Sequence, residues 1–154
     1  MALHRLRLKM PVLGNITLLN NSSKFANTMS TLLTAGLSIH KSLEITAKVL
    51  DNYILSRETS MMSGRIEEGK SFGECMRATK DFPKTLVEMS AIGEETGELE
   101  ATLATVGDYF DNESEHVTEK AIGKLEPTIL IIMALFAGFI ARAASVRARR
   151  TSAP

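Results

Sequence analysis

Met89-Ser90-Ala91-Ile92-Gly93-Glu94-Glu95-Thr96-Gly97-Glu98-Leu99 is the stretch on which the fold turns. Met89, Ser90 and Gly93 recur at helical spacing, and Gly97 permits the left-handed turn that ends one helix. Glu98 then stands at the start of the next helix, where negative charge is favourable. Gly93 lets that helix surface approach a neighbour closely. The stretch therefore predicts a tight helix hairpin. The hairpin accounts for both glycines but not for Glu94 and Glu95, because acids near a helix C-terminus oppose the macrodipole.

The same helical grammar runs outward in both directions. Downstream, Leu99, Leu103, Val106 and Phe110 form an apolar stripe that Val117, Ala121 and Leu125 prolong. Upstream, Phe82-Pro83 breaks the chain. Before it, Ser71 and Glu74 have capping-box spacing and open a short helix through Phe72, Cys75 and Met76. A helix from about Asn52 to Gly69 carries Leu55, Met62 and Ile66. Ser38 is placed to cap a helix with Ile39, Leu43, Ala47 and Leu50 inside. Phe25, Met29, Leu32 and Leu33 define the first helix, with Asn20-Asn21-Ser22-Ser23 offering its N-cap and Gly36 closing it. No segment reads as a strand. The expected class is all-α, a six-helix antiparallel bundle.

Composition agrees with that class and narrows the function. The 154 residues include 44% apolar residues, 8 Met, no Trp and only 5% aromatics. Such a core favours helices, because strands are rich in aromatic and β-branched residues. A single cysteine, Cys75, excludes an internal disulfide framework and any cysteine-based zinc cluster. It is expected to be a buried, inert thiol. Lys+Arg and Asp+Glu both total 18, so no global charge points to nucleic acid. The charges are nonetheless segregated. Residues 81–126 hold twelve acids against three bases, while residues 127–154 hold four arginines and no acid. Within the acidic block Asp108, Asp111 and Glu115 share one helix face. They are candidates for a divalent cation with oxygen ligands, against the plainer reading of a solvated face.

Pro127–Ala141 is free of charge over fifteen residues. That length of helix rises roughly 22 Å, short of a hydrocarbon core of about 30 Å. Extended to Val146 it is long enough, with Arg142 snorkelling; a helix buried in the core of a soluble protein is the competing reading, and the lack of any polar face favours the membrane. The expected organisation is a linker over 1–21, a helical bundle over 22–126, a membrane helix over 127–146 and a basic tail over 147–154.

Catalytic motifs are sparse. Gly64-Arg65-Ile66-Glu67-Glu68-Gly69-Lys70-Ser71 matches G-x-x-x-x-G-K-[ST], the pattern of a phosphate-binding loop. Such a loop needs an apolar strand before it, whereas Arg57–Ser63 is polar and helical, and two glutamates stand where a polyphosphate must approach. A helix C-terminus at Gly69 followed by the Ser71 cap explains the residues better. His4, His40 and His116 lie in separate segments without H-x-x-x-H spacing and are expected to be exposed. No G-x-S-x-G occurs. No cofactor and no catalytic residue is expected.

The ordered set Phe25-Ala26, Leu32-Leu33, Ala35-Gly36-Leu37-Ser38-Ile39, Glu68-Gly69-Lys70-Ser71-Phe72, Phe82-Pro83, Gly93-Glu94-Glu95-Thr96-Gly97-Glu98-Leu99, Tyr109-Phe110 and Leu125-Glu126-Pro127 resembles the F-type inner-membrane platform proteins of type II secretion, type IV pilus assembly and competence pseudopili. The resemblance covers residues 22–141. It implies a cytoplasmic six-helix bundle, present twice in a longer protein with three membrane helices. This chain is similar to the second copy joined to the start of the last membrane helix.

The resemblance further implies a non-enzymatic component of the bacterial inner membrane, with the bundle on the cytoplasmic side. The implied partners are the cytoplasmic assembly ATPase, other inner-membrane components of the machine and further copies of the chain. Gly93, Glu94, Gly97 and Leu99 fall on the family's helix-hairpin signature, mainly as architectural residues, and Glu94 and Glu95 are also candidates for partner contact. One departure stands out. The family's last membrane helix finishes with apolar residues, whereas this chain turns into an arginine-rich tail from Arg142, as in a truncated or frame-shifted product. A membrane-anchored helical adaptor of another kind is the alternative, and a nucleotide-binding enzyme is a remote third.

Overall fold

The computed structural model describes residues 11–123, 129–140 and 142, with side chains from residue 14 to residue 120 in the first of these ranges. The helices are α1 (Pro11–Thr34), α2 (Ile39–Val49), α3 (Tyr53–Glu67), α4 (Phe72–Arg77), α5 (Lys84–Thr96) and α6 (Leu99–Gly123). Residues 129–140 are helical as well, and no strand occurs among the described residues. The all-α expectation holds. The chain divides into two compact units, one up to Val117 and one from Thr118 onward.

Local chemistry explains where the helices stop and start. Gly36, Gly69 and Gly97 all have positive φ (85°, 86° and 73°). At each, the N–H of the following residue reaches back to a carbonyl five positions earlier: Leu37 to Leu32, Lys70 to Arg65 and Glu98 to Gly93. This is the Schellman arrangement, which satisfies carbonyls that the helix end leaves unpaired and requires a left-handed residue. Ser38, Asn52 and Ser71 accept N–H bonds at the next helix starts. The capping box of Ser71 and Glu74 is complete in both directions. These stops and starts fall where the sequence places them.

The first helix does not. It begins at Pro11, so residues 11–21 are helical rather than linker, and Leu19 belongs to the core. Asn21, Ser22 and Ser23, expected as a cap, sit inside α1 and are almost completely buried. Their polar groups are satisfied in other ways. Asn21 Nδ2 and Ser22 Oγ donate to the carbonyls of Thr17 and Leu18, one turn back. Asn21 Oδ1 accepts from the Asp51 and Asn52 N–H groups at 2.9 and 3.0 Å, which ties α1 to the α2–α3 turn.

The core of the first unit is built by Phe25 and Met29 of α1, Leu43 of α2, Leu55 and Met62 of α3, Phe72 and Met76 of α4, Leu86 of α5 and Leu103 of α6. Phe25 and Phe82 meet at 4.8 Å between ring centroids, so the break at Phe82-Pro83 also anchors the loop in the core. Pairings from Asn20–Ser114 through Ser23–Asp111 to Ser30 with the Glu100 carbonyl show that α1 and α6 run antiparallel. Their approach is close. A Cβ on Gly107 would stand 2.0 Å from Asn27 Oδ1.

In the second unit, Ile129 through Ile140 expose their large apolar side chains. Twelve helical residues rise about 18 Å, and no described helix is long and apolar enough to cross a membrane. Residues 124–128, 141 and 143–154, on which both ends of the expected membrane helix and all of its basic tail fall, lie outside the described residues, as does His4.

Candidate functional site

The α5–α6 hairpin is built as its sequence suggests. Gly97 makes the left-handed turn, and Leu99 is buried directly after it. Gly93 faces α6 so closely that an added Cβ would lie 2.9 Å from Thr102 Cβ and 3.1 Å from Leu99 Cα. Those contacts include backbone, which cannot move aside cheaply. The three hairpin residues are therefore architectural in the structure.

Glu94 has an architectural place. Its side chain turns inward, and its carboxylate accepts the Phe72 N–H at Oε1 and the Gly73 N–H at Oε2, both at 2.7 Å. Those N–H groups open α4 and have no partner within that helix. A carboxylate there gains both charge-assisted hydrogen bonds and a favourable place at a helix N-terminus. Gly73 permits the approach, since a Cβ on it would meet Ala91 Cα at 3.2 Å and Glu94 Oε2 at 3.0 Å. Glu94 thus clasps α4 to α5, and both of its oxygens are engaged within the fold. Glu95 points outward, two-thirds exposed, and pairs with Arg77 at 3.1 Å. Of the two acids, Glu95 is the one that a partner can reach.

The same contacts decide the phosphate-loop motif. A phosphate-binding loop works through free backbone N–H groups that converge on the phosphates. Here every N–H from Glu68 to Glu74 is already donated. Glu68, Gly69 and Lys70 bond to carbonyls of α3, Ser71 and Glu74 bond to each other's side chains, and Phe72 and Gly73 bond to Glu94. A carboxylate of the protein itself holds the place a phosphate would need. Gly64–Ser71 is the end of α3 and the cap of α4.

The acidic face of α6 does not converge on a cation. Asp108, Asp111 and Glu115 are exposed and form no metal-holding group. Asp111 instead accepts Ser23 Oγ–H at 2.5 Å and Asn27 Nδ2–H at 3.1 Å, joining α6 to α1. Asp111 is thus engaged in helix packing, while Asp108 and Glu115 are exposed. Cys75 is fully buried as expected, and burial pushes its thiol up from the ordinary range, with Arg65 and Lys70 opposing the shift.

His40 was expected to be exposed, and it is not free. It lies half-buried between α2 and α3, with Nδ1 2.8 Å from Ser63 Oγ and Nε2 facing Glu44 and Glu67. A search for H-x-x-x-H spacing passes over it. The four-residue spacing of His40 and Glu44 is the signal that could have found it.

Comparison with known proteins places this arrangement. Residues 25–146 match the family described as type II secretion system (T2SS), protein F. The type II secretion system protein F of Aeromonas hydrophila is 31% identical over 131 residues, which is 85% of this chain and 34% of that protein. The type IV pilus assembly protein PilC of Pseudomonas aeruginosa is 28% identical over 136 residues, 88% of this chain and 36% of that protein. PilC of Myxococcus xanthus is 28% identical over 124 residues, 80% of this chain and 30% of that protein. The chain thus spans about a third of the length of the relatives it matches. With the matched region running from Phe25 in α1 through the hairpin and beyond α6, the chain belongs to the type II secretion system protein F family.

Proposed function

We propose that this chain is a non-enzymatic platform component of a type II secretion, type IV pilus or competence pseudopilus assembly machine. Its helical bundle faces the bacterial cytoplasm, and residues 127–146 enter the inner membrane. It meets the cytoplasmic assembly ATPase and the other inner-membrane components, self-associates, and passes the motion of the ATPase to pilin assembly. The observation that carries this reading is the family match over residues 25–146, with relatives from both secretion and pilus systems. The α5–α6 hairpin supports it physically. Gly93 and Gly97 make a rigid corner there, and Glu95 and Glu98 are exposed on it, so the corner presents acidic groups to a basic partner surface.

The test is binding between the purified chain and the assembly ATPase of a type II secretion or type IV pilus machine. Association should weaken as salt rises, because exposed charge pairs are screened over a Debye length of about 8–10 Å. Charge reversal by Glu95→Lys should lower affinity while leaving the helical signal intact. A well-folded chain that binds no such ATPase at low salt would sink the coupling role. An unchanged Glu95→Lys affinity would move the contact away from the hairpin.

A further inference from the structure

The last turn of α3, the Gly69 turn and α4 frame a cleft of about 290 Å³, lined by Arg65, Lys70, Glu74, Cys75 and Ala78. The backbone explains why both cations reach it. Gly69 has a φ of 86°, and the Lys70 N–H bonds to the Arg65 carbonyl at 3.1 Å. That bond folds Lys70 back against the end of α3. From α4, Cys75 supplies a buried floor and Ala78 an exposed methyl group. Arg65 is half-buried and Lys70 is exposed.

The two cations are unpaired. Lys24, Lys41, Arg77 and Lys84 each hold a carboxylate. Among the described residues, the side chains of Arg65 and Lys70 have no ion-pair or hydrogen-bond partner. Two acids close to them in the chain are used elsewhere. Glu74 Oε2 accepts the Ser71 N–H at 3.0 Å, and Glu67 faces His40. Two like charges drawn together over an apolar floor gain from an anion between them. The guanidinium fork of Arg65 suits a carboxylate, which it can hold by two parallel hydrogen bonds.

Charge and shape narrow the ligand. Two bases against the one acid of the lining match a carboxylate with a single negative charge better than a polyphosphate. The backbone N–H groups that a phosphate would use, from Glu68 to Glu74, are already donated. Sites for free small molecules run to about 300–1,000 Å³ and cover about 70–90% of the ligand. This cleft is at the lower end of that range, and Lys70, Glu74 and Ala78 on its walls are exposed. It has room for a side chain but does not close over a free molecule. The remaining cover must come from the surface that delivers the side chain.

We propose that this cleft binds an acidic peptide segment of a protein partner. An aspartate or glutamate carboxylate sits between Arg65 and Lys70, and Cys75 and Ala78 meet the apolar part of the segment. Such a contact needs neither the acidic corner of the hairpin nor the coupling role, and it stands or falls without them.

The experiment uses the whole chain, isotope-labelled and purified in detergent, and follows its backbone N–H signals by NMR. The probe is the peptide acetyl-Glu-Leu-Glu-amide, with acetyl-Gln-Leu-Gln-amide and inorganic phosphate for comparison. Saturable shifts at Lys70, Glu74, Cys75 and Ala78 are expected with the acidic peptide, at a Kd of about 1 mM or lower. Arg65→Gln and Lys70→Gln should each weaken binding about tenfold, through loss of a charge-assisted hydrogen bond. Arg57→Gln removes an exposed cation earlier on α3 and should bind as the parent does. Lys70 is exposed, so Lys70→Gln decides the matter even if Arg65→Gln disturbs the fold. Absence of saturable shifts overturns the proposal, as does equal binding of the glutamine peptide or unchanged affinity in Lys70→Gln. The two cations would then do no more than balance the C-terminus of α3. Phosphate binding as tightly as the acidic peptide would overturn it too, and make the cleft a site for free anions.

Discussion

Glu94 on α5 and Gly73 on α4 are matched to each other: the carboxylate accepts the Gly73 N–H at 2.7 Å, and a Cβ on Gly73 would crowd its Oε2 at 3.0 Å. Both oxygens of that carboxylate are engaged within the fold. Removing it should be felt as a loss of stability. Glu94→Ala strands two N–H donors in the first turn of α4 and should cost about 1–3 kcal/mol in chemical denaturation. Glu95→Ala, on the exposed side, should stay within about 0.5 kcal/mol of the parent. Equal effects would mean that the clasp contributes nothing.

Gly97 tests the hairpin turn. Its φ of 73° is strained for any residue with a Cβ, and most of all for a β-branched one. Gly97→Val should therefore lower the melting temperature more than Gly97→Asn. Superimposable melts of the two variants would contradict the left-handed turn.

Asn27 and Gly107 offer a sharper measurement, because the contact has two sides. Gly107→Ala places a methyl group 2.0 Å from Asn27 Oδ1 and should destabilise by about 1–3 kcal/mol. The atoms in the way all belong to the end of the Asn27 side chain. Adding Asn27→Ala should recover part of the loss, giving a favourable coupling of about 0.5 kcal/mol or more in a double-mutant cycle. Purely additive effects would mean that α1 and α6 do not touch at this point.

Lys70 and Ser71 separate the two readings of the loop motif. Lys70→Ala should leave stability nearly unchanged. Ser71→Ala should cost about 0.5–2 kcal/mol, because it removes one half of the capping box. A nucleotide titration in Mg²⁺ should show no saturable binding in the parent. Affinity that vanished in Lys70→Ala would reverse the assignment of this segment.

Cys75 gives a simple chemical check. With its side chain fully buried and its thiol shifted upward by desolvation, it should resist a thiol-specific reagent in the native protein and react at once in denaturant. Rapid labelling under native conditions would place it at the surface instead.

What the sequence determined by itself was whatever depends on neighbours within about six residues. The glycine stops at 36, 69 and 97, the serine caps at 38 and 71, and the apolar stripes of Leu43–Ala47 and Leu103–Phe110 are local chemistry, so reading along the chain finds them. The tertiary structure alone decided where polar side chains obtain their hydrogen bonds. Asn20 to Ser23 read as a cap because such residues usually satisfy a helix end. Here Asn21 bonds to residues 30 and 31 positions away, Ser23 to one 88 away and Ser114 to one 94 away, which allows α1 to run straight through them. Glu94 reaches back 21 and 22 residues, and His40 meets Ser63 across 23. A buried polar group must find a partner somewhere, but no local rule says where. Apolar burial has no direction and leaves a periodic trace in the sequence. Hydrogen-bond partners across a bundle leave none, and the packed fold chose them.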